Sequence, residues 1–209
     1  AAEMLESAVS DIEFDNGDFK IVGTDRVVPF RSVAEKAAGE NSVAFDEKET
    51  FAPEEATYPN GTHVCELEID MATGEIELVD YTVVDDFGRV INPLLLEGQV
   101  HGGIAQGLGQ AILESCQYES GSGQLLSASF MDYTMPRADD FPAIRFKRNE
   151  VPCETNPLGI KGAGEAGAIG APPAIVNAIV NALSDHGIRH VDMPVSPNKV
   201  WDILQNVSA

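Results

Sequence analysis

The stretch THVCELEIDM at residues 62–71 decides the fold class, because apolar and acidic side chains alternate along it. In an extended chain one face would carry four apolar side chains, those of Cys65, Leu67, Ile69 and Met71. Such alternation is typical of a half-buried β-strand. A short turn at residues 72–74 leads into a second extended stretch at 75–84. We therefore predict an antiparallel hairpin with one face toward solvent.

The chain before this hairpin predicts a second, smaller one. Asn16-Gly17 separates the short apolar stretches 12–14 and 19–22, and Asn-Gly favours a two-residue hairpin turn. We also predict helices over residues 1–9 and 30–38. Residues 40–58 are interpreted as a strand followed by a long excursion.

The chain after the central hairpin mixes helices with short strands. We predict a turn at 85–89, a helix over 94–115, extended segments at 127–133 and 143–147, and helices over 174–183 and 197–207. Pro172-Pro173 would open the first of these last two helices, since proline is tolerated in a first turn. The pattern indicates an α+β fold with mixed or antiparallel sheets and packed helices, and possible sub-lobes at about 1–60 and 61–209.

Composition narrows the function classes. The 209 residues carry a net charge of −21, which disfavours binding to phosphate backbones, so we expect no nucleic-acid partner. Three separated cysteines without a C-x-x-C motif argue against a disulfide framework, a zinc ribbon or an iron–sulfur site in this chain, and favour the cytoplasm. No segment is apolar enough to predict a membrane span. Because residue 1 is Ala, we interpret the sequence as part of a longer or processed chain.

The stretch NPLGIKGAGEAG at residues 156–167 is the candidate functional loop. It places Glu165 among four glycines, with Lys161 four residues before it. Backbone without Cβ atoms can lie against a ligand while a single acid performs proton chemistry. A glycine-rich turn with a solvated glutamate is an equally good interpretation of this pattern alone.

The helix predicted over 94–115 carries an unusual set of glycines, at positions 98, 102, 103, 107 and 109. Each costs about 1 kcal/mol relative to alanine in a helix interior. Close approach of a ligand would justify them, and so would tight packing against another backbone.

Two motifs together carry a family resemblance. GQVHGGIAQGLG at residues 98–109 and KGAGEAG at 161–167 resemble, in this order and spacing, the large subunit of the molybdenum hydroxylases. This is the xanthine dehydrogenase and aldehyde oxidase superfamily, and the closest likeness is to the aerobic carbon monoxide dehydrogenase type. The resemblance extends over almost the whole chain. It implies that residues 1–209 form the C-terminal portion, or lobe, of a molybdopterin-binding domain.

The resemblance implies a concrete chemistry. Such enzymes hold molybdenum on a pterin dithiolene, in bacteria usually as molybdopterin cytosine dinucleotide. A glutamate at the position of Glu165 acts as general base on Mo–OH, which attacks an electron-poor carbon while hydride passes to Mo=S. Gln99 matches a glutamine at the molybdenum site, and the backbone of Gly162, Ala163 and Gly164 would lie along the cofactor. No protein side chain is assigned as a metal ligand.

The resemblance also implies partners. Electrons would leave through iron–sulfur clusters to FAD on separate subunits, and the whole enzyme would be a dimer of heterotrimers. The remainder of the large subunit would supply the rest of the site, so this fragment alone is expected to be inactive. One alternative is a non-catalytic binding or assembly domain. Another is a metal-free hydrolase using Glu165, which lacks a nearby nucleophile or paired carboxylate. We interpret Lys161 as solvated or ion-paired, and His101 as a packing or hydrogen-bonding residue.

Overall fold

Contacts within the chain divide it after Ala52 into a smaller unit, Ala1–Ala52, and a larger one, Pro53–Ala209. The computed structural model describes residues 1–40, 48–53 and 55–207. The strand predicted at the start of residues 40–58 lies outside the described residues.

The smaller unit is built on a three-stranded antiparallel sheet in the order β1-β2-β3. Its strands are β1 (Ile12–Asp15), β2 (Asp18–Ile21) and β3 (Val27–Pro29). Asn16 and Gly17 both have positive φ, 49° and 90°, as the turn between β1 and β2 requires. The predicted hairpin is therefore confirmed, whereas β3 was not predicted.

Two helices accompany this sheet, α1 (Ala2–Leu5) and α2 (Phe30–Glu40). The structure confirms α2 but shortens the first predicted helix, since Glu6 takes a left-handed conformation that ends α1. The rings of Phe14, Phe19 and Phe30 contact one another, with centroids 4.7–6.1 Å apart.

A mixed sheet organises the larger unit. Its strands are β4 (Asn60–Ile69), β5 (Ile76–Asp86) and β6 (Ile144–Arg148), in the order β4-β5-β6. The antiparallel pairing of β4 with β5 confirms the predicted central hairpin. β6 joins β5 in parallel, so both pairing types occur in one sheet, as the α+β prediction allowed.

The described residues of this unit form three α-helices: α3 (Pro93–Leu108), α4 (Ala166–Ala182) and α5 (Pro197–Val207). α3 continues into a short π-helical segment, Gly109–Leu113. Fully buried side chains from the sheet, the helices and the segment before α5 form one core, including Tyr81, Val83, Ile104, Leu108, Ile175, Ile179, Val195 and Val200. In the described part of the chain, no helix has both the length and the apolar character that crossing a membrane requires.

The structure also corrects the predicted turn at 85–89, because Asp85 and Asp86 belong to β5, and it corrects two further predicted elements. α4 begins at Ala166, eight residues before the predicted start, and contains Pro172 and Pro173 in its interior. Residues 127–133 do not form an extended segment, because the amides of Asp132 and Tyr133 both donate to the carbonyl of Ser129 and close a turn.

Candidate functional site

Backbone hydrogen bonds hold the first half of the glycine-rich loop against the end of β5. The Gly159 carbonyl accepts from the amides of Arg89 (2.8 Å) and Cys153 (3.0 Å), and the Lys161 amide donates to the Phe87 carbonyl (2.9 Å). The Asn156 side chain bonds both the amide and the carbonyl of Ile160. Residues 156–161 are thus a fixed platform rather than a freely exposed turn.

A buried ion pair reinforces this attachment. Lys161 Nζ lies 2.6 Å from Asp86 Oδ2, and the two side chains are only 12% and 6% exposed. Asp86 Oδ1 accepts from the amides of Gly88 (2.8 Å) and Val151 (3.1 Å). The interpretation of Lys161 as an ion-paired lysine is confirmed, although the pair is buried.

These contacts set the charge state of Asp86. Burial acts to raise its pKa, but the hydrogen bond from Lys161, the two backbone amides and the attraction of the lysine charge outweigh burial and hold the pKa below its ordinary value. Asp86 therefore carries its negative charge opposite the Lys161 ammonium at neutral pH.

Glu165 lies at the junction between the loop and α4. It is the residue before the first helical turn, its side chain makes no capping hydrogen bond, and it is exposed. Gly162 and Gly164 are also exposed, and a Cβ on either would meet no atom within 4 Å. Within this loop, Gly159 has a positive φ, whereas Gly162 and Gly164 do not. Glycine at positions 162 and 164 is therefore not required by the backbone conformation, and its effect is to leave open space beside the chain.

Glycines bring α3 and α4 together directly beside this loop. A Cβ on Gly103 would lie 2.8 Å from the Ala168 amide nitrogen, and a Cβ on Gly167 would lie 2.4 Å from the Val100 carbonyl oxygen. Both distances are shorter than real Cβ contacts, so the two helices cross at van der Waals contact only because these residues are glycine. The packing interpretation is confirmed here. Gly98 and Gly102, by contrast, face open space.

Two predicted site residues are near neighbours, in sequence, of the residues at the helix crossing. Gln99 is exposed on α3, next to Val100, and Glu165 comes two residues before Gly167. Ala163 packs against the core, while its two glycine neighbours are exposed. His101, on the same helix, is half-buried, and its Nε2 finds no hydrogen-bond partner among the described residues.

A second polar cluster, which the sequence analysis did not identify, lies near the first turn of α4. His63 Nδ1 and the Tyr81 hydroxyl share a 2.8 Å hydrogen bond, and His63 Nε2 lies 3.7 Å from Asp85 Oδ1. The alternation along β4 places His63 on the same face as Cys65 and Leu67. A polar residue on this partly buried face is the feature from which the cluster could have been predicted.

The exposed backbone of the glycine-rich loop is chemically suited to a large polar cofactor. Its exposed glycines leave unobstructed backbone, and the Glu165 side chain makes no capping hydrogen bond at the start of α4. Helix N-termini and bare backbone amides bind anionic groups such as phosphate. The described residues contain no group of three or more His, Cys, Asp or Glu side chains placed to hold a metal ion themselves.

The structure also contains a cavity that does not include this loop. Its volume is about 790 Å³, and it lies beside the β4–β5 turn, with acidic residues such as Glu68 and Asp139 at its lining and none of the predicted site residues.

Comparison with known proteins identifies relatives along the whole chain. A family model described as the molybdopterin cofactor-binding domain matches residues 1–142. The carbon monoxide dehydrogenase large chain of Hydrogenophaga pseudoflava is 32% identical over 213 residues, covering 98% of this chain and 26% of that protein. Subunit gamma of the 6-hydroxypseudooxynicotine dehydrogenase complex of Paenarthrobacter nicotinovorans is 34% identical over 215 residues, covering 100% of this chain and 27% of that protein.

A solved structure agrees. Quinoline 2-oxidoreductase from Pseudomonas putida 86 superimposes with a TM-score of 0.86 at 34% identity, over 98% of this chain and 27% of that chain. The chain thus spans about a quarter of the length of the relatives that it matches.

Proposed function

The chain belongs to the molybdopterin cofactor-binding domain family, and from that premise we propose that it forms part of the molybdenum site of a hydroxylase or dehydrogenase large subunit. The observation that carries the proposal is the convergence of two separated motifs. Gly103 of the first motif lies against Gly167 of the second where α3 and α4 cross, and the proposal places Gln99 and Glu165 beside this crossing.

We assign Glu165 the role of general base. When bound, the molybdenum cofactor supplies two-electron oxidation of an electron-poor carbon. The chain contributes a carboxylate that takes up a proton at a side-chain oxygen. The buried Lys161–Asp86 pair and the Gly159 carbonyl anchor the preceding residues, which would limit the movement of the loop that carries Glu165.

The loop backbone of Gly162, Ala163 and Gly164 would hold the cofactor, which we propose is molybdopterin cytosine dinucleotide. Bare amides can bind its polar groups, since the two exposed glycines present no side chains that would block approach. Gln99 would donate and accept hydrogen bonds at the same site through its amide. The amide of Gly162 already donates to Thr57 Oγ1 at 3.3 Å, so Gly162 would approach the cofactor through its open Cα rather than through this amide.

The whole assembly is part of the proposal. The remainder of the large subunit would complete the site. An iron–sulfur subunit and an FAD subunit would remove electrons, in a cytoplasmic dimer of heterotrimers. A subunit of a dehydrogenase complex among the relatives supports a multi-subunit enzyme. The 209 residues alone would not turn over.

The test is the molybdenum and cytosine dinucleotide content of the native complex, purified from its own host. About one molybdenum per large subunit, together with released pterin, is the expected result. A well-folded complex with neither would overturn the proposal. It would instead favour a non-catalytic assembly domain that retains the fold.

A further inference from the structure

The strand β5 is paired along only half of one edge. On one side it pairs with β4 from Ile76 to Asp86, but on the other side β6 pairs with it only from Tyr81 to Asp85. Residues 76–80, a length of about 17 Å at about 3.4 Å per residue, have no strand beside them there in the described part of the chain. An open edge of this kind can pair with another extended chain.

The open part of the edge carries backbone groups that point away from β4. The Asp70 amide donates to the Glu75 carbonyl at 2.9 Å, so the backbone of Glu75 faces β4, and so does that of Glu77, two residues further along. Because hydrogen-bonded and non-hydrogen-bonded positions alternate along an antiparallel pair, Ile76 and Leu78 turn their amides and carbonyls to the open edge. Among the described residues, no backbone group is hydrogen-bonded to them on that edge.

This open edge lines the cavity of about 790 Å³, which we call the edge groove. The chain does not fill the groove, because it reaches β6 from a 3₁₀ turn at Ala138–Asp140 rather than by running along β5. Half-buried apolar side chains at the lining include those of Ile76, Leu113 and Phe141. The groove therefore combines unused backbone groups with an apolar wall.

The solvent face of the same strands carries negative charge that the fold leaves uncompensated. Glu68 on β4 and Glu77 on β5 are directly opposite each other, both are exposed, and both line the edge groove. Like charges in such positions destabilise a sheet. Glu66 and Asp80 form a second pair of this kind, which Arg145 relieves through its ion pair with Asp80. Among the described residues, no ion pair does this for the first pair, and no lysine or arginine lines the groove.

The existing strand β6 shows what chemistry this edge of β5 accepts. It has the sequence IRFKR, in which Ile144 and Phe146 pack against the core and Arg145 and Lys147 alternate with them on the opposite face. Arg145 is also the residue that compensates Asp80. Continued along the open part of β5, the same pattern would place apolar side chains against the apolar wall and basic side chains at the glutamate pair.

We propose that the edge groove binds an extended polypeptide segment, not part of this sequence, in which apolar and basic side chains alternate. The segment would add a strand to the open part of β5, with its basic side chains at the Glu68–Glu77 pair. In this mode of recognition, backbone hydrogen bonds supply affinity and the alternating side chains supply specificity. The inference does not depend on Glu165 or on a cofactor, so it can fail or succeed separately from the proposed function.

The probe is an acetylated and amidated peptide with the sequence AIRFKRN of residues 143–149, titrated into the protein while amide resonances are followed by NMR. We expect saturable shifts at Ile76, Leu78 and Val79. A peptide in which glutamate replaces all three basic residues should bind about tenfold or more weakly, because it would meet like charges. Absence of saturation, shifts confined to residues outside the groove, or equal binding of the two peptides would overturn the proposal.

Backbone pairing can be tested on the peptide itself. N-methylation of alternate amides on one edge of the peptide removes the donors to β5 and should weaken binding by about tenfold or more. N-methylation of the intervening amides, which would point away from β5, should change binding little. Equal effects of the two modifications would show that the peptide does not bind as an added strand.

Glu77→Lys tests the groove from the side of the protein and should weaken peptide binding by about tenfold or more. The new lysine would lie opposite Glu68, an arrangement that a sheet favours, so the fold should be retained. Glu13→Lys is the matched control, because it makes the same change of charge on β1, outside the groove, and should bind the peptide as the native protein does. Equal binding by Glu77→Lys would count against the site.

Sedimentation velocity of the protein without peptide tests a second copy of the chain as the occupant. We expect a monomer. A dimer that Lys147→Glu dissociates would mean that β6 of a second copy fills the groove, and it would overturn the assignment to a different segment.

Discussion

Glu165 is exposed at the start of α4, and no capping hydrogen bond to that helix occupies its side chain. We predict that Glu165→Gln in the intact enzyme lowers turnover by about 10²–10⁴-fold, the usual contribution of a general base. Molybdenum content should not change, since the shape is kept. Turnover and bound metal are measured on the same preparation.

Glu154→Gln is the matched control, because Glu154 is also exposed but lies outside the glycine motif. Its turnover should match that of the native enzyme. Retained activity in Glu165→Gln would show that the base has been assigned to the wrong residue.

The Lys161–Asp86 pair should dominate the stability of the loop attachment. Removing one member of a buried pair leaves the other charge uncompensated, so Lys161→Met should lower the free energy of unfolding by about 3–5 kcal/mol. Arg31→Met breaks the exposed Arg31–Glu35 pair and should cost no more than about 1 kcal/mol. Urea denaturation compares the two, and equal losses would refute the importance of burial.

The same pair predicts a pH dependence with a definite sign. Because the folded state lowers the pKa of Asp86, its contribution is complete above the unfolded value of about 3.9 and is lost as the pH falls through the folded pKa. The stability difference between native protein and Asp86→Asn should therefore shrink with acidification below about pH 4. Unfolding free energies across that range measure it. A difference that stays constant would mean that Asp86 has no lowered pKa.

Residue roles were only partly visible in the sequence. Lys161 could be interpreted as ion-paired, but its partner lies 75 positions earlier in the chain, and no local pattern pairs two positions so far apart. Asp85 and Asp86 were assigned to a turn, whereas they end β5 and point to different partners, as successive strand residues do. The sequence marks His63 only as a polar residue on an otherwise apolar face of β4.

At the scale of elements, the contact between α3 and α4 depends on individual glycines. Gly103→Ala would push a methyl group into the Ala168 amide, and overpacking of this kind costs about 1–3 kcal/mol. Gly102→Ala is the neighbouring control: it faces open space, so it should stabilise the helix by about 0.5–1 kcal/mol. Thermal and urea unfolding report both. Changes of the same sign would contradict the observed crossing.

The same contact explains why α4 was predicted too short. Local rules place prolines in a first turn, but here Pro172 packs against Gly107 from the helix interior, where a Cβ on that glycine would lie 2.9 Å from Pro172 Cδ. Packing therefore outweighs the local cost of proline. Strands with clear alternation, such as β4 and β5, needed no such contact and were predicted well. The turn at residues 129–133 was missed because its hydrogen bonds leave no periodic signal.

At the scale of the whole molecule, the charge of −21 makes self-repulsion a global destabilising term. Exposed ion pairs such as Arg31–Glu35 are worth only about 0–1 kcal/mol each, so screening should weaken repulsion more than attraction. Raising sodium chloride from about 0.01 M to 0.15 M shortens the Debye length from about 30 Å to 8 Å. The melting temperature should then rise, by about 2–4 °C for each kcal/mol gained. Choline chloride at equal ionic strength should give the same rise, because screening is indifferent to the cation. A flat or falling melting temperature would mean that nearby positive charges already neutralise the carboxylates. A rise with sodium chloride but not with choline chloride would indicate specific cation binding instead.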